Sequence, residues 1–265
     1  MIKRILVAMD GSPSSYAALS IAGSLAGITG AELVGLFVED IGRLAGIEGK
    51  EAEAAEDQLE AESLQLYQNF HSRCSSSNIE GRFLSIRGVP STVIRDRAKT
   101  ADFIVMGNVD KRTGEGTDQS ETVVSLLRAL ARPLLVVPDD PSGEPKIVIA
   151  YDGSLPSDRA LRAAAEFAAI SDMTTLHLLT VSATADECKT VQAPAVEYLS
   201  AYDLHVVPVC VTGKPEEAIP AYVEQIDASV LVIGAFGPNR MKESVFGSTT
   251  QAVLRQAEAA VLLVS

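Results

Sequence analysis

The stretch LVAMDGSPSSYAAL, residues 6–19, recurs as VIAYDGSLPSDRAL, residues 148–161, with seven of the fourteen positions identical. In both copies an apolar run leads into Asp-Gly-Ser and then into a segment of helical composition. A second match pairs ADFIVMG, residues 101–107, with ASVLVIG, residues 228–234. Self-similarity over such spans indicates that the chain contains two copies of one folding unit.

A third match defines where each copy ends. LRALARPLLVV, residues 127–137, corresponds to LRQAEAAVLLV, residues 254–264, at the same offset as the second match. Between the copies lies PDDPSGEP, residues 138–145, whose prolines and glycine are typical of a linker. We therefore predict two domains, residues 1–138 and 146–265.

Short β-branched runs alternate with longer helical patterns in each copy, which is typical of βαβ units and a mainly parallel sheet. The runs are apolar at consecutive positions, as expected of strands that are buried on both faces. Five strands are predicted in each domain: RILVAM, ELVGLFV, FLSIRG, DFIVMG and PLLVV in the first, and KIVIAY, TLHLLTV, LHVVPVCV, SVLVIG and AVLLV in the second.

The first helix of each copy carries a capping signal. Ser12 is placed to cap a helix whose first residue is Pro13, because proline lacks only an N–H that would be unpaired there. In the second copy the corresponding proline, Pro156, falls one position later, so the cap is less clearly defined.

The copies differ most after their second strand. Residues 50–74 form a long acidic helical pattern with Leu59, Leu66 and Phe70 on one face, whereas the second copy has only residues 183–202 in the same place. We interpret the longer segment as a crossover helix with a solvated acidic face. A dedicated helix for docking a protein partner is the alternative.

Composition excludes several classes of function. The chain has 265 residues, 47% of them hydrophobic, and a formal net charge of −13. Such a charge opposes binding to nucleic acid and to anionic membranes. No apolar run approaches the length of a membrane span, and the first residues lead directly into a predicted strand without a signal-peptide pattern. We expect a cytoplasmic protein that binds no nucleic acid and does not insert into a membrane.

The cysteines and histidines give no indication of a metal site. Cys74, Cys188 and Cys210 are far apart and form no CxxC pair, which fits neither a disulfide framework nor a zinc ligand set. We expect reduced thiols. The three histidines are scattered, and we expect structural roles for them: His71, His177 and His205.

A glycine-spaced loop follows the fourth strand of the second copy. Gly234 and Gly237 begin the loop. Nine residues separate Gly237 from Gly247, Ser248 and Thr249, and a helix is predicted to follow at residues 250–258. Gly234 would let the backbone pass close to a ligand, and Gly237 would allow a turn with positive φ. The unpaired N–H groups of the helix start and the two hydroxyls are the donors that a phosphate chain needs. Two cations in this stretch are taken as solvated loop residues, although they could reach phosphates: Arg240 and Lys242.

Asp152 follows the first strand of the second copy, with Ala150 two residues before it. In a doubly wound sheet, ligands bind beyond the carboxyl ends of the strands where the strand order reverses. If the fourth strand is the neighbour there, Asp152 faces the glycine loop. Its carboxylate suits ribose hydroxyls or a base amino group. A turn-forming role is the alternative, since Asp-Gly-Ser is also good turn chemistry, and both roles are compatible.

Together, Gly-x2-Gly-x9-Gly-Ser after an Ile-Gly strand end and an Asp after the first strand resemble the ATP-binding type of the universal stress protein family. The resemblance covers nearly the whole chain as two tandem domains. It implies an α/β fold like that of the adenine nucleotide alpha hydrolases: two doubly wound domains, each with a five-stranded, mainly parallel sheet in the order 3-2-1-4-5. It also implies that PLLVV and AVLLV pair antiparallel, giving an internal pseudo-dimer; a further homodimer stays open.

The resemblance also implies a set of ligand contacts in the second domain. The residues around the adenosine would be Ala150, Asp152 and Val181. The residues around the ribose and phosphates would be Ile233, Gly234, Gly237, Gly247, Ser248 and Thr249. The ligand would be ATP, with or without Mg²⁺.

The first copy departs from this pattern. Gly107 is kept, but Asp110 stands in place of the second glycine, Ser120 in place of the third and Glu121 in place of the serine. Carboxylates near phosphates oppose binding by like charge. We therefore expect a degenerate phosphate loop in the first domain. Two residues of the adenosine end remain in this copy: Asp10 and Val38.

The leading hypothesis is an ATP-binding universal stress protein with a regulatory role, in which the second domain holds the nucleotide. One alternative is a slow ATPase, or an enzyme that phosphorylates itself on Ser248 or Thr249. Another is a module in which the first domain docks an unknown protein partner. The sequence shows no Ser-His-Asp order, paired catalytic carboxylates or metal cluster, so no catalytic residue and no metal ligand is assigned and fast turnover is not expected.

Overall fold

The computed structural model describes residues 2–108, 123, 126–127, 132–171, 173–235 and 248–265. Contacts divide the chain into two compact units, unit 1 spanning Met1–Leu130 and unit 2 spanning Ala131–Ser265. Each unit has an apolar core formed by buried strand residues and the helix faces packed on them. In the part of the chain that is described, no helix is both long and apolar enough to cross a membrane.

Unit 1 alternates strands and helices as predicted. Its elements are β1 (Arg4–Met9), α1 (Pro13–Thr29), β2 (Glu32–Asp40), a 3-10 turn (Ile41–Leu44), α2 (Lys50–Ser76), β3 (Gly81–Gly88), α3 (Pro90–Ala98) and β4 (Phe103–Gly107). The strand order is β3-β2-β1-β4, and all three pairings are parallel. The first four strands of the predicted 3-2-1-4-5 order are therefore present in this unit.

Burial follows the position of each strand in the sheet. All five residues of β4 are buried, as expected of a strand that is covered on both faces. β3, at the end of the order, contains only intermediate and exposed residues. The expectation of continuous burial is wrong for this strand, because an outer strand packs against fewer neighbours.

The predicted cap of α1 is confirmed. The helix begins at Pro13, and the Ser12 hydroxyl accepts a hydrogen bond from the N–H of Ser15 at 3.1 Å. At the other end Gly30 adopts a left-handed conformation with φ of 66° and donates its N–H to the Ala26 carbonyl at 2.9 Å. Both ends of α1 are thus terminated by local hydrogen bonds.

The long helix α2 has the predicted apolar face. Leu59, Leu66 and Phe70 are each at most 2% exposed, and Cys74 extends the same face by one further turn. On the exposed side Glu62 forms an ion pair with Arg43 at 2.6 Å, and the hydrogen bond from that guanidinium lowers the pKa of Glu62. The acidic face of α2 is therefore solvated, as predicted, and partly neutralised by arginine.

Unit 2 repeats the pattern with a shorter second helix. Its elements are β5 (Leu134–Val137), β6 (Glu144–Ala150), α4 (Leu155–Ser171), β7 (Thr175–Val181), α5 (Ala185–Leu199), β8 (His205–Val211), α6 (Pro215–Gln225), β9 (Ala228–Gly234), α7 (Ser248–Gln256) and β10 (Ala260–Val264). β6 begins two residues before the predicted strand KIVIAY, because the Glu144 N–H already donates to the Asp227 carbonyl at 2.7 Å.

The sheet of unit 2 confirms the predicted topology. β8-β7-β6-β9-β10 is the order 3-2-1-4-5, and every pairing within it is parallel. β5 pairs antiparallel with β10, with Leu135 opposite Leu262. This is the pairing of PLLVV with AVLLV that the resemblance implies.

The expectation of three reduced cysteines is wrong for two of them. Cys188 and Cys210 form a disulfide, with Cα atoms 5.8 Å apart, while Cys74 is a buried free thiol. The two partners are 22 residues apart in sequence and meet because α5 packs on β8, with Cys188 in its first turn beside Cys210 near the strand end. Spacing along the chain gives no sign of this contact, since it depends on the tertiary fold.

Candidate nucleotide-binding site

The carboxyl ends of three strands meet at one edge of the unit 2 sheet. Ala150, at the end of β6, is paired with Leu179 of β7 on one side and with Ile233 of β9 on the other. The strand order reverses between β6 and β9, which is where ligands bind in doubly wound sheets. Four of the predicted contact residues share this edge: Ala150, Val181, Ile233 and Gly234.

Asp152 lies in a tight turn just beyond this edge. Its Oδ1 accepts the N–H of Ser154 at 3.0 Å, and Gly153 between them has φ of 76°. Unit 1 has the same turn, in which Asp10 Oδ1 accepts the N–H of Ser12 at 2.9 Å. The turn-forming role that the sequence left open is therefore present in both units.

The carboxylate of Asp152 is ionised at neutral pH. Partial burial acts to raise its pKa, but hydrogen bonds from the hydroxyl and N–H of Ser154 outweigh this effect, so the pKa of Asp152 is lowered. Although the carboxylate is partly desolvated by its neighbours, the residue as a whole is exposed to solvent. An exposed anion at the switch point can accept hydrogen bonds from hydroxyl or amino groups of a ligand.

Gly234 has a structural reason to be glycine that the sequence did not reveal. A Cβ at this position would lie less than 3.0 Å from the backbone carbonyl of Pro156 and 2.8 Å from the N atom of Ser157. In unit 1, a Cβ on Gly107 would lie 2.8 Å from the N atom of Ser15. Both strand-end glycines thus let the first turn of the helix after the first strand pack on the sheet.

A buried network of polar side chains connects the strands and the helix next to the carboxyl edge of the unit 2 sheet. Gln192 of α5 donates from Nε2 to the carbonyls of Leu178 at 2.9 Å and Val209 at 2.8 Å, so one side chain ties the helix to β7 and β8. Thr180 donates its hydroxyl to the Tyr151 carbonyl at 2.9 Å. Sequence analysis missed these residues, because single polar residues inside apolar runs carry no pattern.

Tyr151 sits directly before Asp152 with 5% of its surface exposed. Its hydroxyl donates to Asp158 of α4 at 2.7 Å. Burial and this hydrogen bond raise the pKa of Tyr151 to about 12. The phenol therefore stays protonated and holds the start of α4 beside the turn.

The phosphate end of the predicted site is described only in part. α7 begins at Ser248, two residues earlier than predicted, so Ser248 and Thr249 both belong to the first helical turn. The N–H groups of a first turn have no partner within their own helix. Other predicted residues lie outside the described part of the chain: Gly237, Arg240, Lys242 and Gly247 in the second copy, and Asp110, Ser120 and Glu121 in the first.

Unit 1 has an equivalent edge. Ala8 of β1 is paired with Met106 of β4, so Asp10 lies beside the end of β4 as Asp152 lies beside β9. The Ser14 hydroxyl donates to the Asn108 carbonyl at 3.0 Å, which fixes the chain just after Gly107. Val38 lies in β2 and is partly exposed.

A cleft of about 220 Å³ lies at the opposite, amino-terminal edge of the unit 2 sheet, between the ends of α6 and α7. Four carboxylates line it: Glu217, Glu224, Asp227 and Glu258. Like charge opposes the binding of phosphates there. The cleft is therefore not a competing nucleotide site.

Within the described ranges, no group of three or more His, Cys, Asp or Glu side chains is placed to hold a metal ion. His177, for which a structural role is expected, lies with Nδ1 2.8 Å from the Tyr222 hydroxyl. Burial lowers the pKa of His177, so the neutral ring is favoured. This histidine belongs to the packing between β7 and α6.

Comparison with solved structures supports the fold. The chain is similar to a universal stress protein from Archaeoglobus fulgidus DSM 4304, with a TM-score of 0.78, 22% identity, and coverage of 99% of this chain and 98% of that one. A protein of unknown function from Pseudomonas aeruginosa PAO1 gives a TM-score of 0.64 at 21% identity, covering 99% and 92%.

Comparison with known sequences gives the family. The chain is 31% identical over 139 residues to the universal stress protein Slr1230 of Synechocystis sp. (strain ATCC 27184 / PCC 6803 / Kazusa). That match covers 52% of this chain and 48% of the relative, so it spans about half the length of each. The profile of the universal stress protein family matches residues 1–138 and again 145–265. The chain therefore belongs to the universal stress protein family.

Proposed function

We propose that unit 2 binds an adenine nucleotide, ATP, at the carboxyl edge of β6, β7 and β9, and that occupancy of this site regulates the protein. The observation that carries the proposal is the pairing of Ala150 with both Leu179 and Ile233. This register supports the proposal, because Ala150 and Ile233 lie side by side at the point where the strand order reverses, and ligands bind there in doubly wound sheets.

Charge and helix placement support a nucleotide at this edge. Asp152 supplies an exposed carboxylate for ribose hydroxyls or the base amino group. α7 begins at Ser248, and the N–H groups of a helix start attract phosphate. The glycines before that start, Gly237 and Gly247, keep their predicted role in the proposal.

Ligands in other family members agree with the proposal without carrying it. One solved universal stress protein is a complex with cAMP, and one from Arabidopsis thaliana has AMP bound. Each covers 52% of this chain, with TM-scores of 0.40 and 0.39, so the proposal rests on the residues of this chain.

The direct test begins with the purified protein. Nucleotide released by denaturation is identified by mass spectrometry, and ATP affinity is then measured by calorimetry on the nucleotide-free protein. Incubation with ATP and Mg²⁺ separates the roles: bound ATP without turnover supports regulation, while sustained release of ADP would instead favour the slow ATPase.

Two variants locate the site. Asp152→Asn keeps an acceptor for the turn but loses the charge, so ATP binding should weaken about 10- to 100-fold, the worth of a hydrogen bond to a charged group. Asp10→Asn makes the same change in the equivalent turn of unit 1 and should leave ATP affinity unchanged. Equal losses in the two variants, or normal binding by Gly247→Asp, would overturn the assignment.

A further inference from the structure

The disulfide lies beside the proposed nucleotide site. Cys188 is in the first turn of α5, which follows β7 after the three residues 182–184, and Cys210 is near the end of β8. Val181, at the end of β7, is paired with Val211, the residue after Cys210. The disulfide therefore joins the start of α5 to β8, the strand next to β7, close to the carboxyl ends of both strands.

The second turn of α5 contacts the turn that holds Asp152. A Cβ on Gly153 would lie 3.4 Å from Cγ1 of Val191, so the Val191 side chain packs directly against this turn. Val191 lies less than one turn beyond Cys188 on the same helix. Movement of this part of α5 would therefore reach the turn.

The rest of α5 is anchored independently of the disulfide. Gln192, 4% exposed, donates to the carbonyls of Leu178 and Val209 from the middle of the helix. Before Cys188, the residues 183–187 are exposed, and the side-chain hydrogen bonds there are local: the Glu187 N–H donates to the Thr184 hydroxyl at 3.3 Å, and the Ser182 hydroxyl donates to the Glu187 carboxylate. Loss of the disulfide would thus loosen the part of α5 that precedes Gln192, including Val191, and leave the second half of the helix in place.

The two sulfurs differ in access to a reductant. Cys188 is 1% exposed, whereas Cys210 is exposed on the outermost strand of unit 2. Cα atoms 5.8 Å apart fall within the ordinary range for disulfides, so the bond can break and form again without movement of the strand.

We propose that Cys188–Cys210 is a reducible clamp that holds the first turn of α5 against β8 and tightens nucleotide binding in unit 2; the coupling rests on the proposed function. The reductant is a dithiol. Its thiolate attacks Sγ of Cys210, a mixed disulfide forms, and Cys188 leaves as a thiolate that takes up a proton.

The second thiol of the reductant then attacks the mixed disulfide and releases Cys210, which also takes up a proton. In total the disulfide gains two electrons and two protons, and the dithiol is oxidised to a disulfide. In the reduced protein the first turn of α5 must become ordered when the nucleotide binds, and this ordering costs free energy. The ATP affinity should therefore fall about three- to tenfold on reduction.

The experiment compares the full chain before and after treatment with dithiothreitol. Hydrogen exchange followed by mass spectrometry should show faster exchange over residues 182–191 on reduction and unchanged exchange over residues 192–199. Alkylation of the denatured, untreated protein should label Cys74 alone, and all three cysteines after reduction. Cys210→Ser should reproduce the reduced state without reductant, whereas Cys74→Ser should change neither exchange nor affinity.

The outcomes separate the clamp from the proposed function. Faster exchange with weaker ATP binding supports the clamp. Unchanged exchange over residues 182–191, or full labelling before reduction, would overturn it. Equal ATP affinity in both redox states would overturn the coupling, while absence of ATP binding in both states would overturn the proposed function itself.

Discussion

Replacement of Gly234 by alanine should destabilise unit 2 even when no nucleotide is present. The added Cβ would meet the backbone of Pro156 at less than 3.0 Å and the N atom of Ser157 at 2.8 Å. Backbone atoms at the start of a helix cannot rotate away as a flexible side chain can. Overpacking costs about 1–3 kcal/mol, and we expect the upper end of this range here.

The assay is urea unfolding of the nucleotide-free protein followed by circular dichroism, together with a thermal scan. A loss of about 3 kcal/mol should lower the unfolding temperature of the unit by about 10 °C. Hydrogen exchange should locate the loss in α4 and β9, the elements that approach each other at Gly234.

Two glycine variants serve as controls. Gly27→Ala adds a Cβ with no heavy atom within 4 Å, in the exposed part of α1, and should raise stability by up to about 1 kcal/mol through helix propensity. In Gly107→Ala the added Cβ would clash with the first turn of α1, so this variant should destabilise unit 1. If Gly234→Ala weakened ATP binding but left the free energy of unfolding unchanged, the glycine would serve ligand approach and the packing explanation would be wrong.

The two capping serines should contribute differently to stability, because the hydroxyl of Ser12 accepts its hydrogen bond at 3.1 Å and that of Ser154 at 3.4 Å. In urea unfolding, substitution by alanine should cost about 1 kcal/mol at Ser12 and less at Ser154. Equal losses would contradict this ranking. Gln192→Leu should cost about 1–3 kcal/mol, since it removes a buried donor from two strand carbonyls, and an unchanged midpoint would refute the anchoring role. Burial lowers the pKa of His177, so the unfolded chain binds this proton more readily. Stability should therefore fall as pH drops below about 6.5, and the slope should be smaller in a His177→Gln variant.

Much of the fold could be predicted because it is encoded locally. β7 and β10 have the bounds that the apolar runs TLHLLTV and AVLLV predict, and α1 begins where the Ser12 cap places it. Because the sequence repeats, the same elements are predicted in both copies. A wrongly placed element in one copy can therefore be recognised by comparison with the other. The 3-2-1-4-5 order came from the family resemblance and is present in unit 2.

The features that sequence analysis missed depend on contacts between distant residues. Cys188 and Cys210 lie on different elements, so the disulfide can be recognised only once the packing of α5 on β8 is known. The sequence assigns Gly234 to a ligand, yet the atoms nearest to an added Cβ there belong to Pro156, in the first turn of α4. Gln192 reads as an ordinary helix residue until its strand partners are known.

The Asp-Gly-Ser turn has the same hydrogen bond from Ser12 to Asp10 in unit 1 and from Ser154 to Asp152 in unit 2. Because each turn is closed by its own residues, a duplicated domain that had lost its ligand would still keep the aspartate. The presence of this aspartate in both units is therefore explained by folding alone, and by itself it does not tell which unit binds a ligand. After duplication, one copy can therefore change its role while the backbone of this turn stays intact.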